Sequence, residues 1–177
     1  MLLIEFWGFL FISILGTILH FTYDLSNHNK YVALFSAVNE SVWEHMKLVV
    51  FPSLIWLLFE IPFLYQNSNF IIAKAVAIGT MILIIPLFYY VYKYIFKSNS
   101  FIVDILIFYV AVGLGQFFSY LILKANPIAL FLNYISLFVL IFIYGYFLIA
   151  TFLPGDDHIY VDPVTKKVGI AGHRFNK

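Results

Sequence analysis

The sequence contains no cysteine among its 177 residues, and only 11% of those residues are charged. The absence of cysteine excludes disulfide bonds, thiolate zinc sites and thiol nucleophiles. A formal net charge of +1 provides no strongly basic surface, so we expect no nucleic-acid partner. The chain is instead 63% hydrophobic, with a mean hydropathy of +0.96. Long runs of such residues predict that the lipid bilayer surrounds the chain.

Five apolar stretches are each long enough to cross about 30 Å of hydrocarbon as a helix. They comprise residues 3–22, 47–65, 70–92, 101–123 and 128–153. Short polar clusters separate most of them, which predicts antiparallel neighbours joined by short loops. The predicted fold class is therefore all-α, an integral membrane bundle of about five transmembrane helices that occupies residues 1–153. The first stretch lacks the cationic start and the cleavage pattern of a signal peptide, so we expect a retained span.

Lysine and arginine residues are distributed unevenly between the two sides of the predicted bundle. Two of them lie on the side of the second and fourth loops, Lys74 and Lys124. Eight lie on the side of the first loop, the third loop and the C-terminus: Lys30, Lys47, Lys93, Lys97, Lys166, Lys167, Arg174 and Lys177. Since cationic loops are retained in the cytoplasm, this bias predicts a multi-pass protein of the cell membrane. The N-terminus would be outside and the C-terminus cytoplasmic.

Residues 154–177 differ in composition from the spans and form a predicted cytoplasmic tail. Two short β-like runs flank an Asp-Pro turn in this segment, which predicts a small hairpin-like element. A lone hairpin is marginally stable in water, so we expect this one to lie on the bundle. A protein partner that docks through this tail is a further expectation.

Polar residues are concentrated in the block VNESVWEHMK, residues 38–47. Ser41 and Glu44 have the spacing of a helix N-terminal capping box, and Lys47 follows Glu44 by one turn. In this interpretation the block simply begins the second span. Glu40 and Glu44, however, are like charges four residues apart, which mildly destabilises a helix unless a cation or a proton intervenes.

A second pair of polar residues, His20 and Asp24, ends the first span at the same predicted membrane level. An imidazole and three carboxylates that converge could hold a divalent metal ion or share a proton. The candidate metal ligands are His20, Asp24, Glu40 and Glu44, and the candidate catalytic residues are Glu40, Glu44 and His20. The alternative interpretation is helix capping and loop anchoring without any site.

Other polar residues within the spans have simpler interpretations. Glu60 and Lys74 flank the second and third spans near the outer side, where snorkelling to water explains them. Gln116 and Asn133 lie deeper and predict hydrogen bonds between helices. Asp104 begins the fourth span and is expected to be an interfacial acid. We find no line of charges within a span, which argues against a proton pump.

The chain resembles an uncharacterised family of small bacterial multi-pass membrane proteins in three places: LHFxYD at residues 19–24, VNESVWEHMKLVVFP at 38–52 and DPVTKKVGI at 162–170. A PVNESVWEHLK-like block and a terminal DPxTGxYGI-like block recur in that family. This chain departs with Ala37 where proline is usual and Lys167 where glycine is expected. The resemblance implies that the polar residues of these blocks belong together as one motif, and it implies no particular reaction. The members of the set are His20, Asp24, Asn39, Glu40, Glu44 and His45.

Three classes of function remain open alongside the broader interpretation, a polytopic membrane protein of unknown biochemical function. The first is a membrane-embedded hydrolase or transferase on a lipid-linked substrate, with Glu40 or Glu44 as base. In that class His20 and Asp24 act as metal ligands or as an acid. The second class is a small transporter or its substrate-binding component, in which the same residues line a cytoplasmic gate. The third is an accessory protein that docks a partner.

Overall fold

The computed structural model describes residues 1–97 and 100–173, so that residues 174–177 of the predicted tail lie outside the described part. Five long helices follow one another along the chain, and all are long and apolar enough to cross a membrane. They are α1 Leu2–Leu25, α2 Val42–Leu64, α3 Phe70–Phe96, α4 Phe101–Lys124 and α5 Leu130–Phe152. The described residues contain no β-strand. The all-α fold class with five such helices is confirmed.

The outside of the bundle is apolar. α2 is the most enclosed of the five helices, and α5 is the most exposed. Large apolar side chains remain exposed around the helices, with Leu83, Tyr94 and Phe138 each at least two-thirds exposed. Such a continuous apolar surface is not tolerated in water, and it is compatible with contact between the helices and lipid chains.

α2 begins at Val42, earlier than the predicted span 47–65. The hydroxyl of Ser41 accepts a hydrogen bond from the backbone N–H of Glu44 at 3.3 Å, which satisfies one donor of the first turn. Capping by Ser41 is therefore confirmed. The carboxylate of Glu44 does not complete a capping box, because it accepts the N–H of Val38 at 3.0 Å. Hydropathy predicts a later start because the first turn carries polar residues, although these residues are buried.

The connection between α1 and α2 folds back against both helices. It contains a short 3₁₀ helix at Val32–Leu34. The hydroxyl of Ser36 accepts the backbone N–H of Tyr23 at 2.9 Å, which ties the connection to α1. Nζ of Lys47 donates to the carbonyl of Ala33 at 2.8 Å, which ties the connection to α2. The residues that precede α2 are thereby held in a fixed position.

The segment after α5 returns to the start of α2. Val161 and Val168 form one antiparallel bridge, and a short 3₁₀ helix follows at Gly169–Gly172. Lys166 has left-handed backbone with φ 60°, the conformation that favours glycine. Counted from Asp162, the first glycine of the DPxTGxYGI-like block falls at Lys166, so the backbone conformation agrees with the pattern and the assignment to Lys167 is wrong by one residue.

Close helix packing at Gly16 provides a test of the bundle. A Cβ added to Gly16 would lie 2.4 Å from the carbonyl oxygen of Leu48, whereas a Cβ at Gly145 would have no described atom within 4 Å. We expect Gly16→Ala to lower the free energy of unfolding by about 1–3 kcal/mol, because α1 must move away from α2. Gly145→Ala should be neutral or stabilising, by up to about 1 kcal/mol. Denaturation in detergent micelles measures both, and equal effects would contradict the packing.

Candidate functional site

Three side chains meet where α1 ends and α2 begins. His20 projects from the last turns of α1, Glu40 immediately precedes α2, and His45 lies in the first turn of α2. Nε2 of His20 lies 3.9 Å from Oε1 of Glu40, and Nε2 of His45 lies 3.8 Å from Oε2 of the same carboxylate. The three ligand atoms all lie within 4.8 Å of one another. We call these three residues the His/Glu cluster.

The distances between the ligand atoms of the His/Glu cluster can be compared with those of hydrogen bonds and of metal sites. A nitrogen and an oxygen 3.8–3.9 Å apart are too distant for a hydrogen bond. Two atoms that each bind a tetrahedral zinc ion at about 2.0–2.1 Å are separated by roughly 3.4 Å. Imidazole and carboxylate groups are also ligands that first-row divalent metal ions prefer. The two nitrogen-to-oxygen separations exceed that value by only roughly half an ångström, so a small contraction would bring each pair to metal-binding distance.

Backbone contacts orient two members of the His/Glu cluster. The N–H of Glu40 donates to Oδ2 of Asp162 at 2.8 Å, which fixes the residue just before the helix. Nδ1 of His45 lies 2.8 Å from the carbonyl oxygen of Ser41. Because a carbonyl only accepts, this contact favours the tautomer with hydrogen on Nδ1. Nε2 then faces Glu40 with a lone pair that can bind a metal ion.

Three cavities adjoin the His/Glu cluster, and each member borders two of them. The first, about 190 Å³, lies among α2, α3, α4 and the tail and is lined by Glu40, His45 and Asp104. The second, about 110 Å³, lies between α1 and α4 and has His20, His45 and Asp104 among mostly apolar walls. The third, about 160 Å³, is lined by His20, Asp24 and Glu40. Asp104, expected to be only an interfacial acid, thus faces the cluster from α4.

Asp24 belongs to a second group of potential ligands. Its Oδ1 lies 2.6 Å from Nε2 of His173 and 3.6 Å from Nε2 of His28. The ligand atoms of these three residues also lie within 4.8 Å of one another, and we call them the Asp24 cluster. Asp24 and His28 are exposed, whereas His173 is buried. The pair of Asp24 and His173 fastens the end of the described tail to α1.

Glu44 is buried, and its carboxylate contacts a lysine. Its Oε2 lies 2.6 Å from Nζ of Lys47, and both side chains are almost completely inaccessible to solvent. The expected pairing of Glu44 with Lys47 is confirmed. Glu44 is not among the residues whose ligand atoms converge in the described part of the chain. The structure thus brings together His20 and Glu40 from the predicted set and places Glu44 in a structural ion pair.

His45 is the member of the His/Glu cluster that sequence periodicity did not identify. If residues 40–47 formed one helix, His45 would point about 100° away from Glu44, and Glu40 would lie on the face of Glu44. The helix instead begins at Val42, so Glu40 does not follow helical spacing and its side chain reaches His45. The N-cap signal at Ser41 places Glu40 outside the helix, and it could have identified this arrangement.

The tail is joined to the site through Asp162. This carboxylate is fully buried. Its Oδ2 accepts the N–H of Glu40, and its Oδ1 accepts two N–H groups of the following turn at 2.7 and 2.6 Å. The side-chain amide of Asn39 donates to the carbonyl of Gly169 at 2.8 Å. Asp162 therefore holds both the turn of the tail and the residue that carries the carboxylate of the His/Glu cluster.

Aromatic side chains enclose the same junction. The ring of Trp43 stacks on that of Phe147 at a centroid distance of 4.1 Å and lies 4.7 Å from the ring of Tyr160. The hydroxyls of Tyr160 and Tyr146 are 2.7 Å apart. Burial raises the pKa of the Tyr160 phenol, and the hydrogen bond with Tyr146 raises that pKa further. Tyr160 therefore remains a neutral phenol that anchors the tail to α5.

Removing the carboxylate of Asp162 should release the tail. We expect Asp162→Ala to increase the rate of tryptic cleavage at Lys166 and Lys167 by about tenfold or more. Loss of hydrogen bonds to a charged group costs about 1.5–3 kcal/mol, and 1.4 kcal/mol corresponds to a factor of ten in local opening. Asp157→Ala, at an exposed carboxylate of the same segment, is the matched control. Equal cleavage rates in both variants would show that Asp162 does not hold the tail.

The chain belongs to the family of unknown function DUF6512, whose model matches residues 4–170. The match therefore includes the five helices, apart from the first residues of α1, and most of the described tail. No curated protein and no solved structure matches the chain. The expected membership of an uncharacterised family is confirmed, while the recurring sequence blocks and a bacterial origin stay predictions. Because the function of the family is unknown, the chemistry of this chain is inferred from its site.

Proposed function

We propose that the His/Glu cluster binds a divalent transition-metal ion and that the chain is a membrane-embedded hydrolase or transferase. The observation that supports this proposal is the convergence of two imidazoles and one carboxylate at separations suited to a shared ion. These ligands lie beside a further carboxylate and three cavities. A divalent ion held by these residues would activate water and polarise an ester or phosphoryl oxygen.

Each side chain of the site has a distinct proposed role. His20, Glu40 and His45 are the metal ligands. Asp104 borders two of the cavities together with His45, and it is the proposed general base. Glu44, the alternative base considered from the sequence, is less suitable because its carboxylate is held by Lys47 and by a backbone N–H.

The walls of the cavities indicate an amphiphilic substrate. The cavity between α1 and α4 is lined by apolar side chains, of which Phe21, Ile105 and Tyr109 are exposed on the outside of the bundle. A hydrocarbon chain can therefore approach the His/Glu cluster from the bilayer. Each cavity is smaller than the roughly 300 Å³ of a typical ligand pocket, which suits a small polar head group with its chain left in lipid. A lipid-linked ester or phosphoester fits this description.

The orientation of the site in the membrane is also a proposal. The distribution of lysine and arginine residues supports a cytoplasmic location for the ends of α1 and α5 and for the tail. The His/Glu cluster would then act on substrates at the cytoplasmic side of the cell membrane. Reporter fusions after residue 30 and near Asn67 distinguish the two orientations, since they should report cytoplasm and exterior respectively.

Turnover of amphiphilic probes tests the proposed activity. The chain in lipid nanodiscs is given a fluorogenic acyl ester and a fluorogenic phosphodiester, each on a lipid anchor, with zinc or manganese and then with a chelator. We expect ion-dependent hydrolysis that falls by about a hundredfold in Asp104→Asn, the size of a general-base contribution. Asp157→Asn, at an exposed position, should retain activity. Failure to hydrolyse either probe with any ion, although the ion binds, would contradict the hydrolase.

A small transporter is the second candidate function. A second polar network, in the other half of the bundle, supports it, because transporters place charged groups inside the bundle along a path. Ion-dependent uptake of a solute by liposomes, without hydrolysis, would favour this function. Docking of a protein partner through the tail stays a prediction. Gly169, Asp162 and Tyr160 of the tail contact the start of α2 and α5, whereas Asp156, Asp157 and Lys166 are exposed.

A further inference from the structure

A buried charged network lies in the half of the bundle opposite to the His/Glu cluster. Nζ of Lys74 in α3 lies 2.5 Å from Oε1 of Glu5 in α1 and 2.7 Å from Oε1 of Glu60 in α2. The three residues are 3%, 2% and 0% exposed, respectively. Snorkelling of Glu60 and Lys74 to water is therefore wrong, because both charged groups turn inward toward Glu5. The sequence did not indicate this pairing, since the three residues belong to three helices.

The fourth helix contributes neutral groups to this Lys74 network. The hydroxyl of Ser119 donates to Oε1 of Glu5 at 3.0 Å, and the amide of Gln116 donates to the backbone carbonyl of Glu5 at 3.4 Å. The network thus has three titratable groups, Glu5 in α1, Glu60 in α2 and Lys74 in α3. Glu5 and His20 are separated by roughly 22 Å along α1 at 1.5 Å per residue, so the network is distinct from the His/Glu cluster.

The charges of the Lys74 network do not balance when all three groups are ionised. Two carboxylates and one ammonium leave one excess negative charge in a site without access to bulk water, which is strongly unfavourable. The outer oxygens, Oε2 of Glu5 and Oε2 of Glu60, are buried and make no hydrogen bond of ordinary geometry among the described residues, and the indole N–H of Trp56 is the polar group that lies beside Glu60. One added positive charge that binds to an outer oxygen would balance the charge of the network.

We propose that Glu5 and Glu60 form a proton-binding site. One proton binds to an outer carboxylate oxygen of the pair and converts that carboxylate to a carboxylic acid, while Lys74 remains an ammonium ion and the network becomes neutral. A proton fits better than a metal cation. The ammonium already occupies the inner oxygens, and the two that remain are far fewer than the six to eight that a hard cation such as calcium takes. Glu5 lies near the start of α1 and Glu60 near the end of α2, so transient opening of these helix ends would let the proton exchange with water.

Infrared spectroscopy of the full chain in detergent, with and without ¹³C-labelled glutamate, tests this proposal. A carboxylic acid has a carbonyl band separate from that of a carboxylate. The label is carried only by Glu5, Glu40, Glu44 and Glu60. At neutral pH we expect one acid band that shifts with the label and shifts again in heavy water, because the proton exchanges.

Glutamine variants assign this band. Glu5→Gln and Glu60→Gln should each lose it completely, because the single remaining carboxylate then pairs with Lys74 and needs no proton. Glu40→Gln, in the opposite half of the bundle, should retain its full intensity. The proposal is overturned if the unmodified chain has no label-sensitive acid band, if the band does not respond to heavy water, or if it persists in both Glu5→Gln and Glu60→Gln. The first two outcomes need no variant, so the test does not depend on whether a variant folds.

Discussion

Lys47→Met is expected to lower the free energy of unfolding by about 3–5 kcal/mol, because it leaves the carboxylate of Glu44 buried without its cation. Nζ of Lys47 lies 2.6 Å from that carboxylate, and the lysine side chain is completely buried. Glu44→Gln should have an effect of similar size, since among the described residues Lys47 would then face neutral acceptors, namely the new amide oxygen, the Ala33 carbonyl and the Thr151 hydroxyl. Equilibrium denaturation in mixed micelles measures both changes.

The double variant Glu44→Gln with Lys47→Met is the control for this prediction. A buried ion pair replaced at both ends is often neutral, so the double variant should recover most of the loss. If each single change costs less than about 1 kcal/mol, as for an exposed pair, then Glu44 reaches water. That result would restore Glu44 as a candidate ligand or base and would contradict its assignment to a structural ion pair.

His45→Ala is expected to abolish the stabilisation of the chain by divalent metal ions. A ligand that binds only the folded state, at a hundred times its dissociation constant, raises the free energy of unfolding by about 2.7 kcal/mol. We expect an increase of this size when zinc is added to the unmodified chain. We expect no increase in His45→Ala or His20→Ala, because each removes one of only three ligands of the His/Glu cluster.

His28→Ala is the matched control, because His28 belongs to the Asp24 cluster at the same end of the bundle. It should retain the full effect of zinc. If His28→Ala loses the stabilisation and His45→Ala retains it, the metal ion binds at the Asp24 cluster and the proposed site is wrong. Thermal unfolding in detergent, recorded with and without zinc for all variants, distinguishes the two clusters.

The five helices could be predicted because each is a single long apolar run between polar turns. The start of α2 was harder to predict. A hydropathy profile treats Glu44 and Lys47 as residues that need water, although they form an ion pair inside the protein. The cap at Ser41 was the better signal, because it reports backbone hydrogen bonding rather than exposure. With Ser41 as the N-cap, Glu40 lies outside the helix, and its carboxylate faces both histidines of the cluster.

Contacts between distant segments could not be predicted from spacing. Asp24 and His173 are separated by 149 positions, and Glu5 and Lys74 by 69 positions. Helical periodicity shows which side chains share a face of one helix, but it does not show which helices are neighbours or how the tail returns. For the same reason Asp104, assigned from sequence to the interface alone, faces the His/Glu cluster only after α4 has packed.

X-ray absorption at the zinc edge is the most direct test of metal binding by the His/Glu cluster, because it counts the imidazoles bound to the ion. For the chain with one equivalent of zinc we predict two imidazole ligands at about 2.0–2.1 Å. The same two should be present in His28→Ala, and at most one should remain in His45→Ala. A spectrum without imidazole in the unmodified chain, or with two imidazoles in His45→Ala, would contradict the proposed metal site.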